Sequence, residues 1–173
     1  MSSSKQNDLF RQIIMDHYQN PRNKGLAPDP RGYMTVHLKN PSCGDDLTVQ
    51  LKVRGNTVEE VRQEGAGCSI CCASASMMAE ALEKLDIEAA QEIIKHFHHM
   101  IQSEDYDAEL IGDAVSLQGV AQLPQRVKCA TLGWQASRRG LAKIQEERAE
   151  GQREAEDSEG SITVADVEKE ETI

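Results

Sequence analysis

Apolar and polar residues alternate along three short segments in the first half of the chain. These segments cover residues 34–39, 47–53 and 57–63, and the turn signal Arg54-Gly55-Asn56 separates the last two. Alternation with a period of two is typical of a strand that buries one face and exposes the other to water. The pattern therefore predicts three consecutive strands that pair as an antiparallel sheet.

A helical period replaces this alternation on both sides of the strands. Apolar residues recur every three or four positions over residues 7–20 and again over residues 87–101. Further helices are predicted for residues 69–85, for residues 108–111, which a loop follows, and for residues 124–145, which open on a proline. One helix, three strands and then several helices predict an α+β fold, with a three-stranded antiparallel sheet and helices packed on one face.

The charge of the chain is concentrated at its C-terminal end. The 173 residues include 29 acidic and 19 basic ones, a net charge of −10, and residues 146–173 contribute −8 of it. Such a segment cannot bury enough apolar surface to offset the conformational entropy that folding removes. We therefore predict one folded domain over residues 1–145 and an acidic, disordered tail over residues 146–173.

The composition also excludes several classes of partner. A nearly neutral body with an acidic tail lacks the basic face that duplex nucleic acid requires. The sequence contains no run of about 18 apolar residues that could span a membrane, and its first residues lack the apolar block of a secretory signal. We expect a cytoplasmic protein that binds neither nucleic acid nor membranes.

Five cysteines carry most of the candidate chemistry. An odd number without a secretory signal argues against a framework of structural disulfides. Cys43 lies in the turn between the first two predicted strands, Cys68 precedes a predicted helix, and Cys129 lies in the first turns of the last helix. Neighbouring glycines permit sharp turns beside Cys43 and Cys68, and a helix N-terminus favours the thiolate form of a cysteine.

Asp45 follows Cys43 by two residues, so both side chains can project to the same side of the turn. Three thiolates and one carboxylate would make a four-ligand site for Zn²⁺ or for the irons of a small cluster. The alternative is that these cysteines are ordinary buried residues, because free cysteine is often buried. The residue pattern alone leaves both interpretations open.

Cys68 and Cys71 also form a C-x-x-C pair, which is the spacing of dithiol redox sites. Cys71 and Cys72 follow Cys68 by three and four residues, so a helix beginning there would carry all three thiols on one face. They could bind a metal, resolve a persulfide or disulfide on Cys68, or serve as core residues of a tightly packed helix. The absence of βαβ alternation before the pair disfavours a thioredoxin-like protein.

Several motifs together resemble the U-type iron–sulfur cluster assembly proteins, the IscU/NifU N-terminal family. These motifs are Ile14-Met-Asp-His-Tyr-Gln-Asn-Pro-Arg-Asn23, Asn40-Pro-Ser-Cys-Gly-Asp45, Gly65-Ala-Gly-Cys-Ser-Ile70 and Val127-Lys-Cys-Ala-Thr-Leu132. Lys128 stands where the IscU branch has histidine, and residues 104–123 resemble the insertion that marks SufU proteins. The chain is therefore most similar to the SufU branch.

The resemblance implies an α+β fold and a site made by Cys43, Asp45, Cys68 and Cys129. In SufU-like members that site usually holds Zn²⁺ and receives sulfur from a partner cysteine desulfurase of the SufS type. In IscU-like members the equivalent site builds a [2Fe–2S] cluster, which passes to further assembly proteins or to apo-proteins.

We therefore expect a zinc-binding sulfur acceptor or carrier in iron–sulfur cluster biogenesis, at most a zinc-dependent sulfurtransferase. Cys43 is the expected acceptor, because its turn places the thiol at an exposed tip, and its attack on a persulfide resembles thiol–disulfide exchange. Asp45 would supply a hard oxygen ligand among soft sulfur ligands. Its weaker bond would ease release of the bound metal or cluster. The alternative is a scaffold on which a transient [2Fe–2S] cluster is assembled.

Overall fold

The computed structural model describes residues 2–151 and 161–166 of the chain. Its helices are α1 (Ser3–Gln19), α2 (Ser69–Leu82), α3 (Ile87–Ile101), α4 (Ala108–Ile111) and α5 (Pro124–Ala149), with a 3₁₀ helix over Gly112–Gln122. Its strands are β1 (Met34–Asn40), β2 (Asp45–Arg54), β3 (Thr57–Ala66) and β4 (Ser161–Asp166). The predicted α+β fold is confirmed.

The three predicted strands form an antiparallel meander in which β2 lies between β1 and β3. The alternation in the sequence becomes alternation in burial, since every second residue of β1 from Met34 to Asn40 is buried. Asn40 pairs with Asp45, and Asp46 pairs with Ala66. This register brings the end of β1, the start of β2 and the end of β3 to the same edge of the sheet.

The helices cover the buried face of the sheet, and α5 lies closest to it. Two glycines permit this approach, because a Cβ on Gly140 would lie 2.6 Å from Leu51 and one on Gly133 would lie 3.2 Å from Leu47. As α5 is followed from Gly140 back to Gly133, it runs along β2 towards the edge where β1 ends. No helix within the described residues is both long enough and apolar enough to cross a bilayer.

Residues 112–122 form a 3₁₀ helix where the sequence predicted a loop. Its apolar Ala114, Leu117 and Val120 recur every third residue and are buried, which is the period of a 3₁₀ helix rather than of an α-helix. Asp113 in the same segment accepts a hydrogen bond from Nε2 of the buried His17 at 2.8 Å. The segment is therefore ordered by packing and by this tie to α1.

The structure differs from the expectation of a disordered tail in two places. Helix α5 continues past residue 145 to Ala149, and Ser161–Asp166 forms β4, which pairs in parallel with β1 and gives the described sheet four strands. The β-branched residues 162–164 favour a strand, and the outer edge of β1 offers unpaired backbone groups. The rest of the predicted tail, residues 152–160 and 167–173, lies outside the described residues.

Candidate metal centre

The turn between β1 and β2 presents Cys43 at its tip. The Asn40 backbone carbonyl accepts a hydrogen bond from the Gly44 amide at 2.9 Å, and its side-chain oxygen accepts one from the Ser42 amide at 3.2 Å. Gly44 adopts a φ of +76°, a left-handed conformation that strains residues with a Cβ. Cys43 is consequently held at an exposed position immediately beside the start of β2.

Asp45 connects this turn to the beginning of α2. Its side chain is buried, and its Oδ1 accepts a hydrogen bond from the Cys68 amide at 3.0 Å. Cys68 is the N-cap of α2, and its sulfur accepts a hydrogen bond from the Cys71 amide at 3.4 Å. The Cys68 thiol lies 3.9 Å from the second carboxylate oxygen. The hydrogen bond therefore holds the N-terminus of α2 in place and at the same time fixes the position of the Asp45 carboxylate.

Helix α5 brings Cys129 to the same edge of the sheet. The Sγ atoms of Cys43 and Cys129 lie 3.3 Å apart although the two residues are 86 positions apart in the chain. Cys129 is buried, and its thiol also lies 3.8 Å from the Gln125 carbonyl. The close approach of α5 to the sheet is thus what completes the cluster.

The structure brings all four predicted site residues together. The donor atoms of Cys43, Asp45 and Cys129 all lie within 4.8 Å of one another, and Cys68 joins them through its contact with Asp45. Three sulfurs and one carboxylate fit the number and type of ligands that Zn²⁺ takes in a four-ligand site. Their role as ligands stays a prediction.

The site lowers the acidity of its own thiols. Burial and the Asp45 carboxylate together raise the pKa of the Cys43 and Cys129 thiols above the usual range for cysteine. Both thiols would therefore stay protonated at neutral pH unless a positive charge compensated them. A cluster of this kind favours a bound cation, which would turn the thiols into thiolate ligands.

Arg126 is a neighbour that the sequence did not single out. It is exposed and lies one helical turn before Cys129, and the sulfurs of Cys68 and Cys129, when deprotonated, raise the pKa of its guanidinium. Its position three residues before Cys129 was the available signal, since residues at that spacing share a helix face. Arg126 places a permanent positive charge beside the sulfurs.

Cys71 and Cys72 lie next to the cluster without joining its tightest part. Neither belongs to the group of donors within 4.8 Å of one another. Cys71 is buried, whereas Cys72 is partly buried and its thiol lies 3.7 Å from the Gly67 carbonyl. Burial raises the pKa of both thiols. They are therefore protonated thiols beside the site, which leaves room for a separate role.

Comparisons with known proteins show which proteins this chain is similar to. A family model described as the NifU-like N terminal domain matches residues 9–151. The zinc-dependent sulfurtransferase SufU of Bacillus subtilis is 48% identical over 136 residues, which make up 78% of this chain and 90% of that protein. The iron–sulfur cluster assembly scaffold protein IscU of Streptococcus pyogenes is 35% identical over 142 residues, 82% of this chain and 87% of that protein.

A solved structure shares the fold as well. It belongs to a protein of Fervidobacterium islandicum that is provisionally described as an iron–sulfur cluster assembly scaffold for the SUF system. The two chains superpose with a TM-score of 0.67 at 28% sequence identity, over 75% of this chain and 94% of that one. The similarity thus extends over nearly the whole of the solved structure.

Proposed function

Because the chain belongs to the family of NifU-like N-terminal domains, we propose that it serves iron–sulfur cluster biogenesis as a zinc-binding sulfur acceptor. The observation that carries this proposal is the convergence of Cys43, Asp45 and Cys129 within 4.8 Å, with Cys68 beside them. These residues would hold Zn²⁺ through three sulfurs and one carboxylate oxygen. When bound, the ion would keep the thiols deprotonated and tie three separate segments together.

Cys43 is the residue that receives sulfur. It lies at an exposed turn, so a protein partner can reach its sulfur more easily than the buried Cys129 sulfur. The Cys43 thiolate attacks the outer sulfur of a persulfide on the donor protein. A new S–S bond forms on Cys43, the S–S bond of the donor breaks, and the donor cysteine leaves as a thiolate.

Asp45 and Arg126 support this step in different ways. Asp45 holds the Cys68 amide and so keeps α2 in register with the turn that carries Cys43. The exposed guanidinium of Arg126 lies beside the sulfurs of Cys68 and Cys129, where its positive charge can stabilise the thiolate that leaves the donor. The acceptor is thus a rigid turn with a fixed positive charge nearby.

The donor we propose is a cysteine desulfurase of the SufS type, and the recipients are further iron–sulfur assembly proteins or apo-proteins. A desulfurase carries its sulfur as a cysteine persulfide, which is the chemical form that a thiolate acceptor requires. We place this work in the cytoplasm, where glutathione and thioredoxin systems keep free thiols reduced. The five cysteines, all free in this chain, suit that compartment.

Replacing the acceptor thiol tests the proposal. With zinc-loaded protein, cognate desulfurase and free cysteine, we expect Cys43→Ser to abolish both the added sulfur atom seen by intact mass and the stimulation of alanine formation. Cys72→Ser is the matched control, because it removes a neighbouring thiol outside the tight cluster and should behave like the wild type. Sulfur acceptance by Cys43→Ser at the rate of the wild type would contradict the proposal.

A second candidate function is that of a scaffold for a [2Fe–2S] cluster. The observation that favours it is the donor set, since thiolates with one hard carboxylate also suit iron and ease the release of a cluster. The IscU relative of Streptococcus pyogenes is named for that role. Anaerobic reconstitution with iron and sulfide separates the two candidates. A scaffold gives a coloured cluster that transfers to an apo-protein, whereas an acceptor stays colourless with zinc.

A further inference from the structure

A second pair of thiols lies at the start of α2. Cys68 is the N-cap with extended backbone dihedrals (φ −68°, ψ 167°), and Cys71 is the third residue of the helix. The Cys71 amide donates a hydrogen bond to the Cys68 sulfur at 3.4 Å. Residues three apart on a helix are neighbours, with Cβ atoms about 5–6 Å apart. That spacing is slightly longer than a disulfide requires, so a small adjustment of the first turn joins the two sulfurs.

The two thiols differ in what surrounds them. Cys68 is partly buried and lies beside the Asp45 carboxylate. Cys71 is only 3% exposed, and its sulfur lies 3.2 Å from the position that a Cβ on Gly67 would take. Within this pair a small oxidant therefore reaches Cys68 more easily than Cys71, which lies three residues further along and outside the proposed ligand set. The pair thus consists of a partly accessible cysteine, which can react first, and a buried cysteine, which can resolve the product.

We propose that Cys68 and Cys71 form a reversible disulfide that switches the metal centre off under peroxide stress. The Cys68 thiolate attacks hydrogen peroxide and becomes a sulfenic acid, releasing hydroxide. The Cys71 thiol then displaces water and forms the S–S bond, so the two sulfurs together lose two electrons to one peroxide. A low-molecular-weight thiol reverses the reaction by exchange.

The consequence for the metal centre rests on the proposed function. A sulfur in a disulfide is no longer a thiolate, so the centre would lose one of its four ligands while Cys43, Asp45 and Cys129 keep their places. A disulfide between Cys43 and Cys129, whose sulfurs lie 3.3 Å apart, would remove two ligands at once. The Cys43–Cys129 bond would need two ligand sulfurs to leave the ion, whereas the Cys68–Cys71 bond needs only one, because Cys71 is outside the proposed ligand set.

Cys72 does not serve as the resolving thiol. It follows Cys68 by four residues, and its thiol is directed to the Gly67 carbonyl at 3.7 Å. Cys71 and Cys72 both line a small cleft of about 60 Å³, so the two thiols differ in the direction of the sulfur and in burial rather than in the cleft they face. A Cys→Ser change at this position is therefore a control that matches Cys71→Ser in chemistry and in helix position.

The test treats zinc-loaded, full-length protein with hydrogen peroxide and follows two signals. Non-reducing peptide mass spectrometry identifies the disulfide, and a chromogenic chelator measures the zinc that is released. For the wild type and Cys72→Ser we expect a Cys68–Cys71 disulfide, zinc release and full recovery of zinc binding after a thiol reductant. For Cys71→Ser we expect no such disulfide, further oxidation of Cys68 and no recovery.

Three results would overturn the inference. They are a disulfide that joins Cys43 to Cys129, one that joins Cys68 to Cys72, or recovery of zinc binding by Cys71→Ser equal to that of the wild type. Sulfur acceptance measured on the reduced proteins separates this inference from the proposed function. If reduced wild type accepts no sulfur but still forms the Cys68–Cys71 disulfide, the acceptor function fails and the dithiol switch remains.

Discussion

Gly67→Ala is expected to weaken zinc binding about 10–100-fold, the usual effect of disturbing the groups that orient metal ligands. A Cβ at this position would lie 2.6 Å from the Asp45 Oδ1 and 3.1 Å from its Cγ. The carboxylate cannot yield freely, because the same Oδ1 accepts the hydrogen bond from the Cys68 amide. Competition with a chelator of known affinity measures the effect, and circular dichroism checks that the helices persist.

Gly119→Ala is the matched control for this change. A Cβ on Gly119 would meet nothing within 4 Å, so the same substitution there should leave zinc affinity unchanged. Equal zinc affinity for Gly67→Ala and the wild type would mean that the position of the Asp45 carboxylate does not matter for the metal. That result would remove Asp45 from the proposed ligand set.

Trp134→Ala is expected to lower the free energy of unfolding by about 3–5 kcal/mol, the usual cost of truncating a buried aromatic residue. Trp134 is fully buried and stacks on Phe97 with ring centroids 4.1 Å apart and planes 10° apart. Its Nε1 donates a hydrogen bond to the Ser74 hydroxyl at 2.9 Å. The truncation would leave a cavity between α3 and α5. Urea unfolding at a fixed metal content measures the loss.

Trp134→Phe separates the packing contribution from the hydrogen bond. It keeps an aromatic ring against Phe97 but removes the donor to Ser74, so we expect a clearly smaller loss than for Trp134→Ala. If Trp134→Ala and Trp134→Phe lost the same free energy of unfolding, stacking on Phe97 would contribute little to stability. Helix α5 also carries Cys129. We therefore expect the Trp134→Ala substitution to weaken the coupling between zinc binding and folding as well.

Helices and strands with a regular hydrophobic period were predicted correctly from the sequence, but their first and last residues were predicted less accurately. The predicted boundaries of α3 agree with the structure at both ends, because its apolar residues recur regularly from Ile87 to Ile101. Helix α2 ends at Leu82, three residues before the prediction, and Lys84 adopts a φ of +72° that a helix cannot contain. Strands β1 and β2 extend to the polar Asn40 and Asp45, where alternation of hydrophobicity gives no signal.

The site depends on contacts that no local pattern encodes. Cys43 and Cys129 are 86 positions apart, so their meeting follows from how α5 packs on the sheet. Their convergence was expected only because the motifs resemble a known family. The sequence indicated Gly67 as a turn residue beside Cys68 but not its close contact with the Asp45 carboxylate, and it did not indicate Arg126, because both contacts depend on neighbours in space. The short apolar stretch that forms β4 was missed because a partner strand supplies the stability that its own sequence lacks.

X-ray absorption at the zinc edge tests the central claim most directly. On protein purified without oxygen and holding one zinc per chain, we expect three sulfur ligands at about 2.3 Å and one oxygen at about 2.0–2.2 Å. Asp45→Ala should remove the protein oxygen ligand while the three sulfurs remain. Four sulfur ligands, or fewer than three, would contradict a centre made by Cys43, Asp45, Cys68 and Cys129.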